Sequence, residues 1–335
     1  MIEESVEVRG AGLTRSGVTP APTGVSGVAE AVLRVVRRHR ALQGALLLGP
    51  VALWMVAFVA GPAVFTVLMS LWRIDDFSLV HSYSLASYSH FFTNSLYTDT
   101  LLRSAKIAAI VTGLAVTLAT PVAYVIAFKI RRHRTLWFGA VVVALWVGYL
   151  LRVYAWRIVL GQQGVLNGIL QWAGIVDHPV KAFLFNDFAL VLALTHLCTP
   201  FALVPIYAVF EQIPRRLHDA AADLYAPGRK VFLNVTLPLG LHGILAGASF
   251  AFIISFGDYF APTLIGGPGG SMIANLAASQ FGVAFQWPLG AAIGVVMFAV
   301  VLLVLTVPVL ITALLTRRAR RATYLVLRPE VEQAR

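Results

Sequence analysis

Asp258 is the one acidic residue between Asp223 and Glu330. It stands in the block Ser255-Phe256-Gly257-Asp258-Tyr259, at the end of a long apolar stretch. An acid at membrane depth is costly unless it faces water or a partner. A carboxylate beside an aromatic face such as Tyr259 attracts a cation. The connection that follows holds no Lys or Arg to repel one. Tyr154 and Trp156 are weaker candidates for the same path. The alternatives are that Asp258 caps a helix end or pairs with Arg152 or Arg157, and that the two aromatics are interfacial anchors.

A second constellation lies between Glu211 and Ile244. Pro214 is placed to start a helix and Pro227-Gly228 to stop it, which predicts about three turns over 215–226. Asp219 and Asp223 are i,i+4 neighbours on one face. Ala220, Ala221 and Ala222 leave little bulk, so the helix can lie deep in a groove on another protein. Leu217, Leu224 and Tyr225 can supply the anchors. A second amphipathic piece, 229–236, leads to Leu237-Pro238. The bland alternative is a solvated loop that only turns the chain round.

Other chemistry is missing. The sequence has no Gly-Lys pair, so the phosphate-cradling G-x-x-x-x-G-K-[ST] loop is impossible. It has no H-E-x-x-H, no G-x-S-x-G and no clustered His/Cys set for a metal. The single cysteine, Cys198, excludes an intrachain disulfide and reads as a packing residue. His196 reads as a histidine that packs between helices with a nearby partner. The Gly266-Gly267-Pro268-Gly269-Gly270 run reads as a flexible turn.

The elements that must position these residues are membrane spans. Of 335 residues 59% are hydrophobic and 12% charged, where a soluble domain carries about 25% charged residues. That excludes an ordinary soluble globule and a disordered chain. Apolar stretches at 43–71, 106–128, 135–151, 187–210, 237–257 and 288–315 predict six crossings. The third is short and extends toward Trp156. Residues 1–28 read as a disordered tail and 29–40 as a short basic helix at a membrane surface. Thus 1–40 is a tail, 41–316 the membrane domain and 317–335 a basic tail.

Alternate connections hold 20 of the 26 Lys and Arg residues. The positive-inside rule then places both termini and the 211–238 connection in the cytoplasm. Topology accounts for the net charge of +11, and no nucleic-acid partner is implied. Spans so nearly uncharged argue against an ATP-independent secondary transporter, which needs charged residues in several helices.

The 211–238 connection resembles the "EAA" coupling loop of permease subunits in binding-protein-dependent ABC importers. That pattern runs E-A-A-x-x-x-G, nine residues, then an aliphatic residue, any residue, Leu and Pro. Asp219-Ala220-Ala221 occupies its first part and Val235-Thr236-Leu237-Pro238 its last. Tyr225 stands where the family has glycine, so the bend is expected to move to Pro227-Gly228. The resemblance covers about residues 41–315. The stretches Leu150–Leu170, Pro200–Pro214 and Ser255–Gly267 narrow it to the spermidine/putrescine branch, which also holds permeases for other small cations and organic solutes; the alternative cargo within the importer class is an opine, an amino-acid-like solute or Fe(III). It implies an all-α membrane protein with the type I importer fold. It also implies a sister permease subunit, two cytoplasmic ATPases that hold Mg-ATP, a periplasmic binding protein, and no cofactor or catalytic site in this chain. The coupling residues it implies are Leu217, Asp219, Ala220, Ala221, Asp223, Leu224, Tyr225 and Gly228.

Overall fold

A computed structural model describes residues 40–333 apart from 76, 77, 131 and 268, with side chains from 48 to 313. The expected tail over 1–28 and all of the expected basic helix except Arg40 lie outside the described residues. The chain forms two units, Met1–Val64 and Phe65–Arg335. In the first, α1 (Arg40–Met55) passes through a π-helical turn, Val56–Ala60. The Trp54 and Phe58 rings pack at a tilt along it, 5.3 Å apart. From Leu48 onward its large apolar side chains, Leu48, Val51, Leu53, Trp54, Val56 and Phe58 among them, are exposed, as a lipid-facing helix requires. α2 (Gly61–Ser70) completes a 23-residue apolar helix, Leu48–Ser70, long enough to cross a bilayer.

In the second unit, β1 (Arg73–Asp75) and β2 (Ser78–Val80) form a small antiparallel hairpin with Ile74 opposite Leu79. After α3 (Ala86–Thr93), the Asn94 side chain caps α4 (Ser95–Tyr124) by accepting from the Leu96 amide at 3.0 Å. A π-helical turn, Val125–Lys129, extends α4. Ala108, Ala115, Ala119 and Ala123 bury one face of α4, while Ile110, Leu114, Leu118 and Val122 are exposed on another. Alanines make up much of the buried face, beside Ile107 and Val111, as close helix packing in lipid favours.

α8 (Asp187–Gln212) is the central helix and packs on α4 and on α11 (Leu237–Phe256). Three glycines of α11 make this approach close. A Cβ at Gly240 would collide with the Phe210 ring, 2.1 Å from its nearest atom. One at Gly243 would lie 2.8 Å from the Val209 Cβ, and one at Gly247 would lie 2.7 Å from the Ala202 carbonyl oxygen. At the other end of α8, Arg103 pairs with Asp187 and donates to the Ser271 carbonyl at 3.0 Å. This ties α4 to α8 and to the segment before α12 (Ile273–Gly282). The last helix, α13, runs Trp287–Gln333, so helical backbone continues into the expected 317–335 tail.

Three expectations change. The third span is two helices, α5 (Arg134–Trp146) and α6 (Tyr149–Leu160), and the second leads into α7 (Val165–Trp172). They bend by 86° at the break. Val147 and Gly148 take ψ of 124° and 135° there, far from helical values. α5 has 13 residues, about 20 Å of helix, which is too short to cross alone. Secondly, the fifth span begins at Gly228 and runs unbroken to Phe256, through α10 (Gly228–Val231) and a π-helical turn, Phe232–Thr236. Thirdly, the start of the glycine run is packed, while Gly269 is open. Gly267 has φ +71°, and a Cβ there would sit 2.7 Å from the Phe185 Cβ. The Phe185 amide donates to the Ile265 carbonyl at 3.0 Å, fastening this turn to the chain before α8.

Candidate functional site

α9 spans Arg215–Asp223, three residues shorter than the spacing predicts. It ends in a Schellman arrangement, in which the Tyr225 amide donates to the Ala222 carbonyl at 2.8 Å and the Ala226 amide to the Ala221 carbonyl at 3.1 Å. Tyr225 takes the left-handed position itself, with φ +55°. The bend therefore stays at Tyr225 and does not move to Pro227-Gly228. An L-residue there costs about 1–2 kcal/mol, which glycine avoids.

The helix has two faces. Leu217, Asp219, Ala220, Asp223 and Leu224 are exposed, and Tyr225 is 96% exposed. Gly228 is also exposed, at the start of α10. The apolar anchors and the two acids thus stand free for another molecule. The other face meets the bundle, with His218 and Ala221 only half-exposed. Of the two central alanines, Ala220 points outward and Ala221 belongs to the inner face.

The inner face is fastened at several points. An Arg215 guanidinium nitrogen donates to the Ala127 carbonyl at 3.2 Å, in the π-helical turn that ends the second span. His218 stacks on Phe128, centroids 4.2 Å apart, and its Nε2 pairs with Thr236 Oγ1 at 3.0 Å. Beside this, Arg134 at the start of α5 pairs with Glu211 at 2.6 Å and donates to the Tyr207 hydroxyl at 2.8 Å. Four spans therefore converge under α9. Sequence reasoning missed His218, Arg134 and Phe128, because their partners lie 18 to 90 positions away in the chain.

The other candidates meet differently. Asp258 is buried, and its Oδ1 accepts from the Phe260 amide at 2.9 Å and the Ala261 amide at 3.4 Å. The Tyr149 hydroxyl donates to its other oxygen. Asp258 thus has the capping role, and among the described residues neither Arg152 nor Arg157 forms an ion pair with it. The buried Arg152 guanidinium instead lies over the Tyr149 ring, 5.8 Å from its centre. Tyr259 and Tyr154 are 41% and 46% exposed. Trp156 donates from Nε1 to His196 Nδ1 at 3.1 Å, which gives His196 its packing partner. Asp258 is thus joined to Tyr149 and, through that ring, to Arg152, and none of the hydrogen bonds or ring contacts among the described residues joins it to Tyr154 or Trp156.

The chain matches the family described as binding-protein-dependent transport system inner membrane component over residues 50–321. It is 31% identical over 255 residues to the spermidine/putrescine transport system permease protein PotB of Escherichia coli, covering 76% of this chain and 92% of that protein. The inner membrane ABC transporter permease protein YdcU of the same organism is 31% identical over 261 residues, with 74% and 82% covered. In fold, the chain is similar to a bacterial ABC transporter that imports the acidic polysaccharide alginate. The TM-score is 0.62 at 15% identity, over 84% of this chain and 98% of that one.

Proposed function

The chain belongs to the family of binding-protein-dependent transport system inner membrane components, as a multi-pass permease with the type I importer fold, and from that premise we propose that it forms half of the pathway of an ATP-driven polyamine importer. The observation that carries the cargo is the match to a spermidine/putrescine permease along 92% of that protein's length. In this reading the chain has no ATPase site. Mg-ATP is held by two cytoplasmic ATPases, a periplasmic binding protein delivers cargo, and a sister permease completes the path. The outward face of α9, with Leu217, Asp219, Ala220, Asp223, Leu224 and Tyr225, is the surface that takes the ATPase. Its length, small residues and free apolar anchors support this. Ala221 supports that surface from the inner face, and the exposed Gly228 lies beside it at the start of α10. Closure of the ATPases would draw the α9 helices of the two permeases together and reorient the spans.

The same proposal puts Asp258 and its chain neighbour Tyr259 on the cargo path, with Tyr154 and Trp156 elsewhere along it. The complete importer in proteoliposomes should take up labelled spermidine or putrescine when ATP and the binding protein are supplied. Uptake of an opine or an amino-acid-like solute, with neither polyamine moving, would overturn the cargo. Asp258→Asn keeps the acceptor for the two amides and removes the charge. Uptake should fall about tenfold or more while the complex still assembles, as expected for losing a charge contact to an ammonium group. Unchanged uptake, or a complex that no longer forms, would assign Asp258 to structure alone.

A further inference from the structure

His218 sits where three elements meet. Its ring stacks on Phe128 in the Val125–Lys129 turn at the end of the second span. Its Nε2 pairs with Thr236 in the Phe232–Thr236 turn at the start of the fifth. Both turns are π-helical, a wide-turn geometry that is often found at functional sites. Tyr124 bridges the same two spans by packing edge-on against Phe232, centroids 5.4 Å apart. Phe128 also lies 6.1 Å from Phe210 on the central helix. A cavity of about 110 Å³ beside the ring is lined by Tyr124, Phe128, Lys129, Arg215, His218 and Asp219.

The geometry points to His218 as the joint through which displacement of α9 is carried into the second and fifth spans together, with the ring acting as a neutral wedge. It is a positioning residue and touches neither cargo nor nucleotide. This rests on the reading that the outward face of α9 takes an ATPase. The other link, Arg215 to Ala127, reaches the second span only. His218 alone bonds or stacks from α9 onto both spans among the described contacts.

The neutral ring matters because Nδ1 is buried and has no hydrogen-bond partner. Burial holds the ring below the ordinary histidine value, opposed by Asp219 and reinforced by Arg215 and Lys129. The remaining neighbours, Phe128, Tyr124 and Thr236, offer no negative charge at neutral pH. As the pH falls through that lowered value, a proton on Nδ1 would put a third cation beside Arg215 and Lys129, against the single carboxylate of Asp219, and loosen the wedge. Transmission should therefore be intact at neutral pH and decline on acidification.

The test uses the complete importer in liposomes and reads spermidine imported per ATP hydrolysed. Thr236→Val removes only the hydroxyl and should lower that ratio about fivefold, the scale of one hydrogen bond. His218→Ala should lower it about tenfold or more, because the stacking is lost as well. His218→Gln can still reach Thr236 and should recover part of the ratio. Its ratio should stay flat as the cytoplasmic-face pH is taken from about 7.5 to about 5, while that of the unmodified chain falls about threefold or more. A wild-type ratio in Thr236→Val, or parallel pH profiles for His218→Gln and the unmodified chain, would overturn the inference. If His218→Ala fails to assemble, the other two variants decide. Failure of the underlying reading looks different, since the ATPase would then not co-purify with the unmodified chain.

Discussion

Ala220→Arg should cut import by about 100-fold or more while the chain still inserts in the membrane. Ala220 is exposed at the middle of α9, flanked by the exposed Leu217 and Leu224. Nothing within the chain needs to move to accept a longer side chain there. A groove on an ATPase that closes on a methyl group would instead receive a buried, unpaired guanidinium, which costs about 3–5 kcal/mol. Uptake in proteoliposomes and ATPase recovery after affinity purification measure the effect. Ala221→Arg should also stop import, but by a second route. Ala221 is half-buried on the inner face, so the new side chain would disturb the packing of α9 itself. Thermal unfolding should separate the two, with Ala220→Arg keeping the transition of the unmodified chain. Normal import by both variants would remove α9 from the coupling surface.

Gly247→Val should destabilise the bundle by about 3 kcal/mol or more, at the upper end of what overpacking costs. Its first added carbon would lie 2.7 Å from the Ala202 backbone oxygen and 3.0 Å from the Ile206 side chain. Backbone cannot rotate out of the way, so α8 and α11 must separate. That parting would be felt along Gly243 and Gly240 as well, where the same helices touch. Gly113→Val is the control, because an added Cβ there meets nothing within 4 Å. The midpoint of thermal unfolding in detergent should drop by several degrees or more for the first variant and little for the second. Equal midpoints would show that the close approach of these helices is not maintained in solution.

The membrane architecture was legible because lipid makes a crude demand. Apolar runs of sufficient length follow from the solvent, whatever packs against them. The limits of α9 were partly legible too, since Pro214 and Pro227 act on the backbone locally. What could not be read depends on partners distant in sequence. The break after Trp146 needs two extended residues whose cost is met by the surrounding bundle, and a Val-Gly pair alone does not announce it. Tyr225 in a left-handed conformation runs against its own preference. The glycines of α11 are ordinary by themselves and become critical only opposite Phe210, Val209 and Ala202. Asp258 was found by its isolation as an acid, but its Tyr149 partner lies 109 positions away and gave no signal.

The 86° break between α5 and α6 has a consequence for where water stands. An interrupted helix leaves the last carbonyls of one segment and the first amides of the next without internal partners. With Arg134 at the cytoplasmic boundary, about 20 Å of helix would carry those groups well inside a bilayer about 30 Å thick. Hydrocarbon offers them nothing, and irregular backbone at that depth is tolerated only inside protein or against an aqueous cavity. The corner at Val147 and Gly148 therefore marks a wetted or protein-covered side of the third span, as opposed to an oily one. Acyl chains should be excluded there, even though Trp146 and Leu151 on either side of the corner are exposed. A hydration map of this protein would then be set as much by its missing backbone hydrogen bonds as by its few charged side chains.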